Sequence, residues 1–195
     1  EHHQEEVKEA PKKRHFGIIS SVICVSFNQD RSRMGIGTNR GFRIVEIPSM
    51  KIISAAEGDN FTMDSGVSSI ALLGKTILVG LVSDGTNQSF PVSNVYIWDS
   101  YNKEIKKSHF THKSKVEAIY LTNNNLISLT NHEIVIWNLE KNTIEKCLSS
   151  SSKPNTFNIN LKNKAGPLLA FQDERQRLIV KNTATENDYI IPLDR

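Results

Sequence analysis

Cysteine is scarce in this chain of 195 residues, which has Cys24 and Cys147 and no others. So few exclude a disulfide-stapled scaffold, which packs more bridges into a shorter chain. Both lie in apolar, strand-like runs, so two buried free thiols acting as small core residues are expected. Long apolar runs are missing too. None approaches the roughly 18 residues of a membrane-crossing helix. The N-terminus lacks the basic-then-apolar layout of a secretory signal, and a cytosolic compartment is expected. Charge of one sign is not in excess: 24 Lys and Arg stand against 21 Asp and Glu. The resulting +3 is too small to imply nucleic acid, and the basic residues are not interleaved with stacking aromatics.

Motifs that carry chemistry are absent as well. The chain has no nucleophile elbow, no paired metal ligands at helical spacing and no phosphate loop. Gly35-Ile36-Gly37-Thr38-Asn39-Arg40-Gly41 does not fit G-x-G-x-x-G, and a strand follows where that motif needs a helix. His2 and His3 sit side by side in a charged arm, without the convergent geometry of a metal site. The expectation is a non-enzyme with no metal and no cofactor.

What the chain does have is a recurrence. Val95-Tyr96-Ile97-Trp98-Asp99 returns as Ile134-Val135-Ile136-Trp137-Asn138, with the tryptophans 39 residues apart. Branched and aromatic runs of this kind suit strands covered by neighbours, and a polar residue then turns the chain. The spacing lies near the roughly 40–45 residues of a four-stranded propeller blade. Trp98 and Trp137 are therefore expected in the core.

Read in order, residues 1–15 mix Glu, Lys and His with little that is apolar and predict a flexible arm. The first unit, about 16–58, reads as strands over 22–27, 34–38, 42–47 and 51–56. Asn39-Arg40-Gly41 supplies its hairpin turn, where Asn and Gly allow positive φ. The second, about 66–112, has strands over 67–73, 76–82, 95–99 and 104–110, with a polar excursion from Ser83 to Ser93. The third, about 115–149, has strands over 116–121, 126–130, 134–139 and 143–148. A serine linker over 149–152 leads to a fourth, about 155–194, with strands over 157–161, 168–171, 178–180 and 189–193. No stretch of helical periodicity competes with them. Four groups of four short strands predict an all-β, WD-repeat type β-propeller spanning 16–195. A sandwich would not predict that the Trp-ending strand recurs at fixed spacing.

Ser26-Phe27-Asn28-Gln29-Asp30, followed by Gly37 to Ile44, resembles the first blade of the PROPPINs, the phosphoinositide-binding WD-repeat propellers of autophagy, called WIPI proteins in animals. Leu78-Val79-Gly80, the loop ending Phe90-Pro91-Val92-Ser93-Asn94 and the run from Val95 to Asp99 look most like the shorter WIPI subgroup. Pro167-Leu168-Leu169-Ala170-Phe171 resembles the family's fourth blade. The resemblance covers about residues 16–182 and implies four blades of an expected seven, the N-terminal half of such a protein.

One departure is large. The family's Phe/Leu-Arg-Arg-Gly segment, whose arginines hold phosphoinositide headgroups through bidentate donors, has no counterpart here. Asn39-Arg40-Gly41 lies in the wrong blade with one arginine. No lipid-binding residue is therefore assigned in this chain, and the lipid site is expected on blades it does not include. An open partial ring leaves blade faces uncovered, so a second chain or the rest of the propeller is expected against them.

The resemblance implies a role for Asn28 and Asp30 in docking an autophagy lipid-transfer partner, their amide and carboxylate offered from an exposed turn. As residue types alone they could equally cap a β-turn. Lys103, Lys106, Lys107, Lys113 and Lys115, with His109 and His112, form a basic group read as a solvated face. Its alternative is weak attraction to anionic lipid or an acidic peptide. The implied function is a non-catalytic autophagy scaffold, recruited from the cytoplasm to phosphoinositide-rich pre-autophagosomal, endosomal or vacuolar membranes and binding no nucleic acid. The rival is a WD-repeat subunit of a cytosolic complex without a lipid role.

Overall fold

The computed structural model describes residues 20–149, 157–160, 168–172, 177–182, 185 and 188–191. The expected arm 1–15 and residues 150–152 of the serine linker lie outside them. The described residues contain sixteen strands in four antiparallel sheets of four, each a meander in chain order. The first blade comprises β1 (Val22–Phe27), β2 (Arg33–Thr38), β3 (Gly41–Glu46) and β4 (Ile52–Glu57). The second comprises β5 (Val67–Leu72), β6 (Leu78–Ser83), β7 (Asn94–Asp99) and β8 (Glu104–Thr111). The third is β9 (Val116–Leu121), β10 (Asn125–Thr130), β11 (Glu133–Asn138) and β12 (Thr143–Ser149). The fourth is β13 (Phe157–Asn160), β14 (Leu168–Gln172), β15 (Leu178–Asn182) and β16 (Asp188–Ile191). Within the described residues, strand ends fall within two residues of the sequence expectation.

The core lies between blades. Phe42, Phe61, Met63, Leu81 and Trp98 join the first sheet to the second. Val95, Phe110, Val116, Leu126 and Trp137 join the second to the third, and Ile127, Ile134, Leu169, Phe171 and Ile179 the third to the fourth. The innermost strands touch in succession, β1 with β5 and β5 with β9. A middle sheet is thus covered on both faces, and all six residues of β7 are buried. This explains why the Trp-bearing strands read as unbroken apolar runs instead of alternating.

The two tryptophans occupy equivalent places, Trp98 opposite Val79 and Trp137 opposite Leu126 in their sheets. Phe42 and Phe61 meet Trp98 edge-on with centroids 5.8 and 5.5 Å away, the arrangement aromatic quadrupoles prefer. Phe61 and Met63 come from the connection between β4 and β5, which begins with a short 3-10 turn at Gly58–Asn60. Gly41, at the start of β3, has φ of 139°, and a Cβ there would run into the Ala56 carbonyl. Only glycine serves at that hairpin.

The first blade has one face without a described neighbour. Val25 lies opposite Ile36 and Phe27 opposite Met34 on that face, and Val25 and Phe27 are 50% and 53% exposed. On the other face Cys24 Sγ donates to the Val67 carbonyl at 3.5 Å across the blade junction. The expectation of two buried thiols holds only in part: Cys24 is half-buried, but Cys147 is exposed. Cys147 lies on β12, the outermost strand of its sheet, where an apolar-looking run faces solvent.

Candidate functional site

The turn between β1 and β2 divides its residues into those that anchor and those that face outward. Asn28 is buried, not exposed as the sequence reading had it. Its side-chain nitrogen donates to Ser32 Oγ at 3.1 Å and to the Gly74 carbonyl at 3.0 Å, and its Oδ1 accepts the Arg33 amide at 3.0 Å. Asparagine suits this place because a short amide can close a turn and still reach the next blade. Asp30 is exposed and accepts the Ser32 amide at 2.9 Å and the Ser32 hydroxyl at 2.6 Å. Those bonds hold its carboxyl below the usual range, with Lys75 contributing a weaker pull. Asp30 therefore presents a fixed negative charge at the surface.

Gln29, between them, ties three blades together. Its Nε2 donates to the Leu72 carbonyl at 3.0 Å in the second blade and to the Leu121 carbonyl at 2.7 Å in the third. Its Oε1 accepts the Gly74 amide at 2.5 Å. Leu72 ends β5 and Leu121 ends β9. The glutamine thus satisfies backbone groups left over where two innermost strands stop. The sequence reading quoted it within the Ser26 to Asp30 stretch but gave it no role, because a glutamine in a polar turn does not disclose partners in other blades.

The basic group does not converge. His112 is buried and belongs to the junction of the second and third blades, not to a solvated face. Its Nδ1 lies 3.2 Å from the Ser93 carbonyl and must donate there, which makes Nε2 an acceptor. Trp137 Nε1 donates to that nitrogen at 3.1 Å, and Ser128 Oγ lies 2.5 Å from it. Burial pushes the imidazole below its ordinary value, and the incoming Trp137 N–H leaves no place for a second ring proton. Lys115 pairs with Glu117 at 3.2 Å. Lys106 lies near Asp99 at one end of β8, while Lys113 lies beyond its other end near Cys147. His109 lies tilted against Tyr96 with ring centroids 5.8 Å apart. Among the described residues no three His, Cys, Asp or Glu side chains converge to hold a metal, and no helix is long and apolar enough to cross a membrane.

Comparisons with known proteins agree with this architecture. No protein-family profile matches the chain. SVP1-like protein 2 of Neurospora crassa is 28% identical over 87 residues, covering 45% of this chain and 19% of that protein. Autophagy-related protein 18e of Arabidopsis thaliana is 27% identical over 136 residues, 68% of this chain and 35% of that one. WD repeat domain phosphoinositide-interacting protein 1 of Homo sapiens is 26% identical over 132 residues, 68% and 28% respectively. Among solved structures, Hsv2 of Kluyvelomyces marxianus superposes with a TM-score of 0.69 at 16% identity, covering 88% of this chain and 51% of that one. KlAtg21, solved with the coiled-coil of AgAtg16, gives 0.71 at 11% identity, covering 88% and 56%. The matches cover about a third or less of these curated relatives and about half of these solved chains. The tandem four-stranded sheets, the repeated Trp strand and these similarities agree with the resemblance to the PROPPIN family of WD-repeat propellers.

Proposed function

We propose that the chain is the partner-docking part of a non-catalytic autophagy scaffold. The observation that carries this reading is the β1–β2 turn, where Asp30 is offered to solvent from a loop that Asn28 and Gln29 lock to two further blades. Functional residues on a loop fixed by a rigid scaffold are the common arrangement for recognition. Asp30 is exposed on this turn and can meet a partner directly. Asn28 contributes by shaping the turn, since both its donors and its acceptor are already used. The autophagy and phosphoinositide names of the relatives support the setting, and the KlAtg21 complex supports a protein partner.

In the complete protein, phosphatidylinositol 3-phosphate or 3,5-bisphosphate membranes are bound by blades outside this chain. The exposed apolar face of β1 and β2 is covered by the rest of the propeller, since water-exposed apolar surface is unfavourable by about 25 cal/mol per Å². The test is binding of the complete protein to its lipid-transfer partner and, separately, to liposomes carrying these phosphoinositides. Asp30→Arg should abolish partner binding while leaving the melting temperature and liposome binding nearly unchanged. Undiminished partner binding by this variant overturns the docking role. Failure of the complete wild type to bind the liposomes leaves a WD-repeat interaction subunit without a lipid role.

A further inference from the structure

Asp30 is held in the β1–β2 turn by Ser32, two residues on. The Ser32 amide donates to Asp30 Oδ1 at 2.9 Å, and the Ser32 hydroxyl donates to the same oxygen at 2.6 Å. The first of these bonds closes a turn that any residue with a backbone N–H at position 32 would close. The second needs a hydroxyl, and its length is that of a charge-assisted bond to a carboxylate. An ionised carboxylate has no hydrogen to give, so Ser32 must be the donor. Its oxygen is then left to accept one hydrogen of Asn28 Nδ2 at 3.1 Å, while the other goes to the Gly74 carbonyl at 3.0 Å. The Asn28 amide cannot be turned round, because its Oδ1 takes the Arg33 amide at 3.0 Å.

A chain of aligned hydrogen bonds thus joins the second blade, through a buried amide and one hydroxyl, to an exposed carboxylate. Bonds in such a series polarise one another. Ser32 is half-buried, and its carbonyl accepts the Ile47 amide at 2.8 Å, so the β3–β4 turn fixes its backbone independently of Asp30. Asp30 has no comparable hold of its own. The Ser32 hydroxyl is the largest influence keeping its carboxyl below the usual range, followed by the Ser32 amide, while the Asn28 side chain and Lys75 contribute less. Without the hydroxyl, one backbone bond would remain, and the carboxylate could turn about it. Alanine at position 32 keeps that backbone bond and removes the hydroxyl; threonine keeps both.

We propose that Ser32 is the positioning residue of the docking site: its hydroxyl carries the anchorage of Asn28 on the second blade to Asp30 and holds the carboxylate in the orientation a partner meets. The proposal rests on the docking role given to Asp30. The test uses the complete protein with isotopically labelled aspartate carboxyls, followed by NMR, the Asp30 signal being the one missing from Asp30→Asn. In the wild type and in Ser32→Thr, that signal should titrate below the usual carboxylate range, and in Ser32→Ala its midpoint should rise. A merely structural role for the hydroxyl would lower the melting temperature without moving the midpoint. Binding to the lipid-transfer partner should weaken about two- to tenfold in Ser32→Ala, because a freed side chain must be ordered again on docking, and should return in Ser32→Thr. A midpoint in Ser32→Ala equal to the wild-type one overturns the proposal. So does undiminished partner binding by Ser32→Ala where Asp30→Arg has lost it. Partner binding kept by Asp30→Arg is instead the failure of the docking reading itself, and takes this proposal with it.

Discussion

Replacing Gln29 by methionine tests whether one polar side chain holds three blades in place. Methionine keeps the length and apolar stem of glutamine but can neither donate to the Leu72 and Leu121 carbonyls nor accept from Gly74. Each neutral hydrogen bond contributes about 0.5–1.5 kcal/mol net. The site is half-buried, so water reaches some of the abandoned groups and the loss should be about 2–3 kcal/mol. For a chain of this size, each kcal/mol moves the melting temperature by about 2–4 °C. A fall of roughly 5–10 °C in a circular dichroism melt is therefore expected. The Gly74 amide should also lose hydrogen-exchange protection, a local readout that a general loss of packing would not single out. Gln29→Glu keeps the acceptor for Gly74 but sets a carboxylate against two carbonyls. It should melt below the methionine variant at neutral pH and recover in acid, where the carboxyl regains a donor. A stability change under about 0.5 kcal/mol in Gln29→Met, or unchanged Gly74 exchange, would refute the staple.

The pH dependence should carry the mark of His112. Its imidazole is held below the ordinary histidine value by burial, so the unfolded chain takes the proton first; the contribution is complete above about pH 6.5 and is lost as pH falls toward the lowered folded value. Wild type should thus lose more melting temperature than His112→Gln between about pH 7 and pH 5, and parallel curves would count against the assignment. Trp98→Ala should cost about 3–5 kcal/mol in chemical denaturation, because the ring fills the junction with Phe42 and Phe61. Asn28→Ala should cost about 2–3 kcal/mol by the same measurement, since it strands the Gly74 carbonyl and the Arg33 amide.

The strands were legible because their signals are local. Four copies of one pattern, each broken by Asn, Asp or Gly, leave little freedom in assigning a meander, and the Trp repeat supplied the period. The core was less legible. Phe61 and Met63 sit in a connection with no period of its own, and only the approach of two sheets makes them interior. Cys147 misled for the opposite reason, since a cysteine beside Leu148 reads as interior although β12 is the outermost strand. His112 looked like part of a basic run because its partners, Ser93, Ser128 and Trp137, are up to 25 residues away in the chain. Gln29 is the extreme case, reaching a carbonyl 92 residues further on. Residue type and spacing disclose hydrogen bonds within a turn, but not those that a blade-to-blade approach creates.

The β1–β2 turn shows why anchoring and presentation occupy neighbouring residues. Ordering a free loop on binding costs roughly 0.5–1.5 kcal/mol for each rotamer-rich side chain immobilised. Here the backbone is fixed before any partner arrives, by Asn28 to Gly74 and by Gln29 to Leu72 and Leu121. Asp30 then projects a negative charge beside Lys75. Variants at Asn28 and Gln29 should accordingly weaken partner docking and lower stability with it. Variants at Asp30 should remove docking and leave the fold standing. A loss of partner binding that tracked stability across all three positions would mean that the turn only holds the blades together.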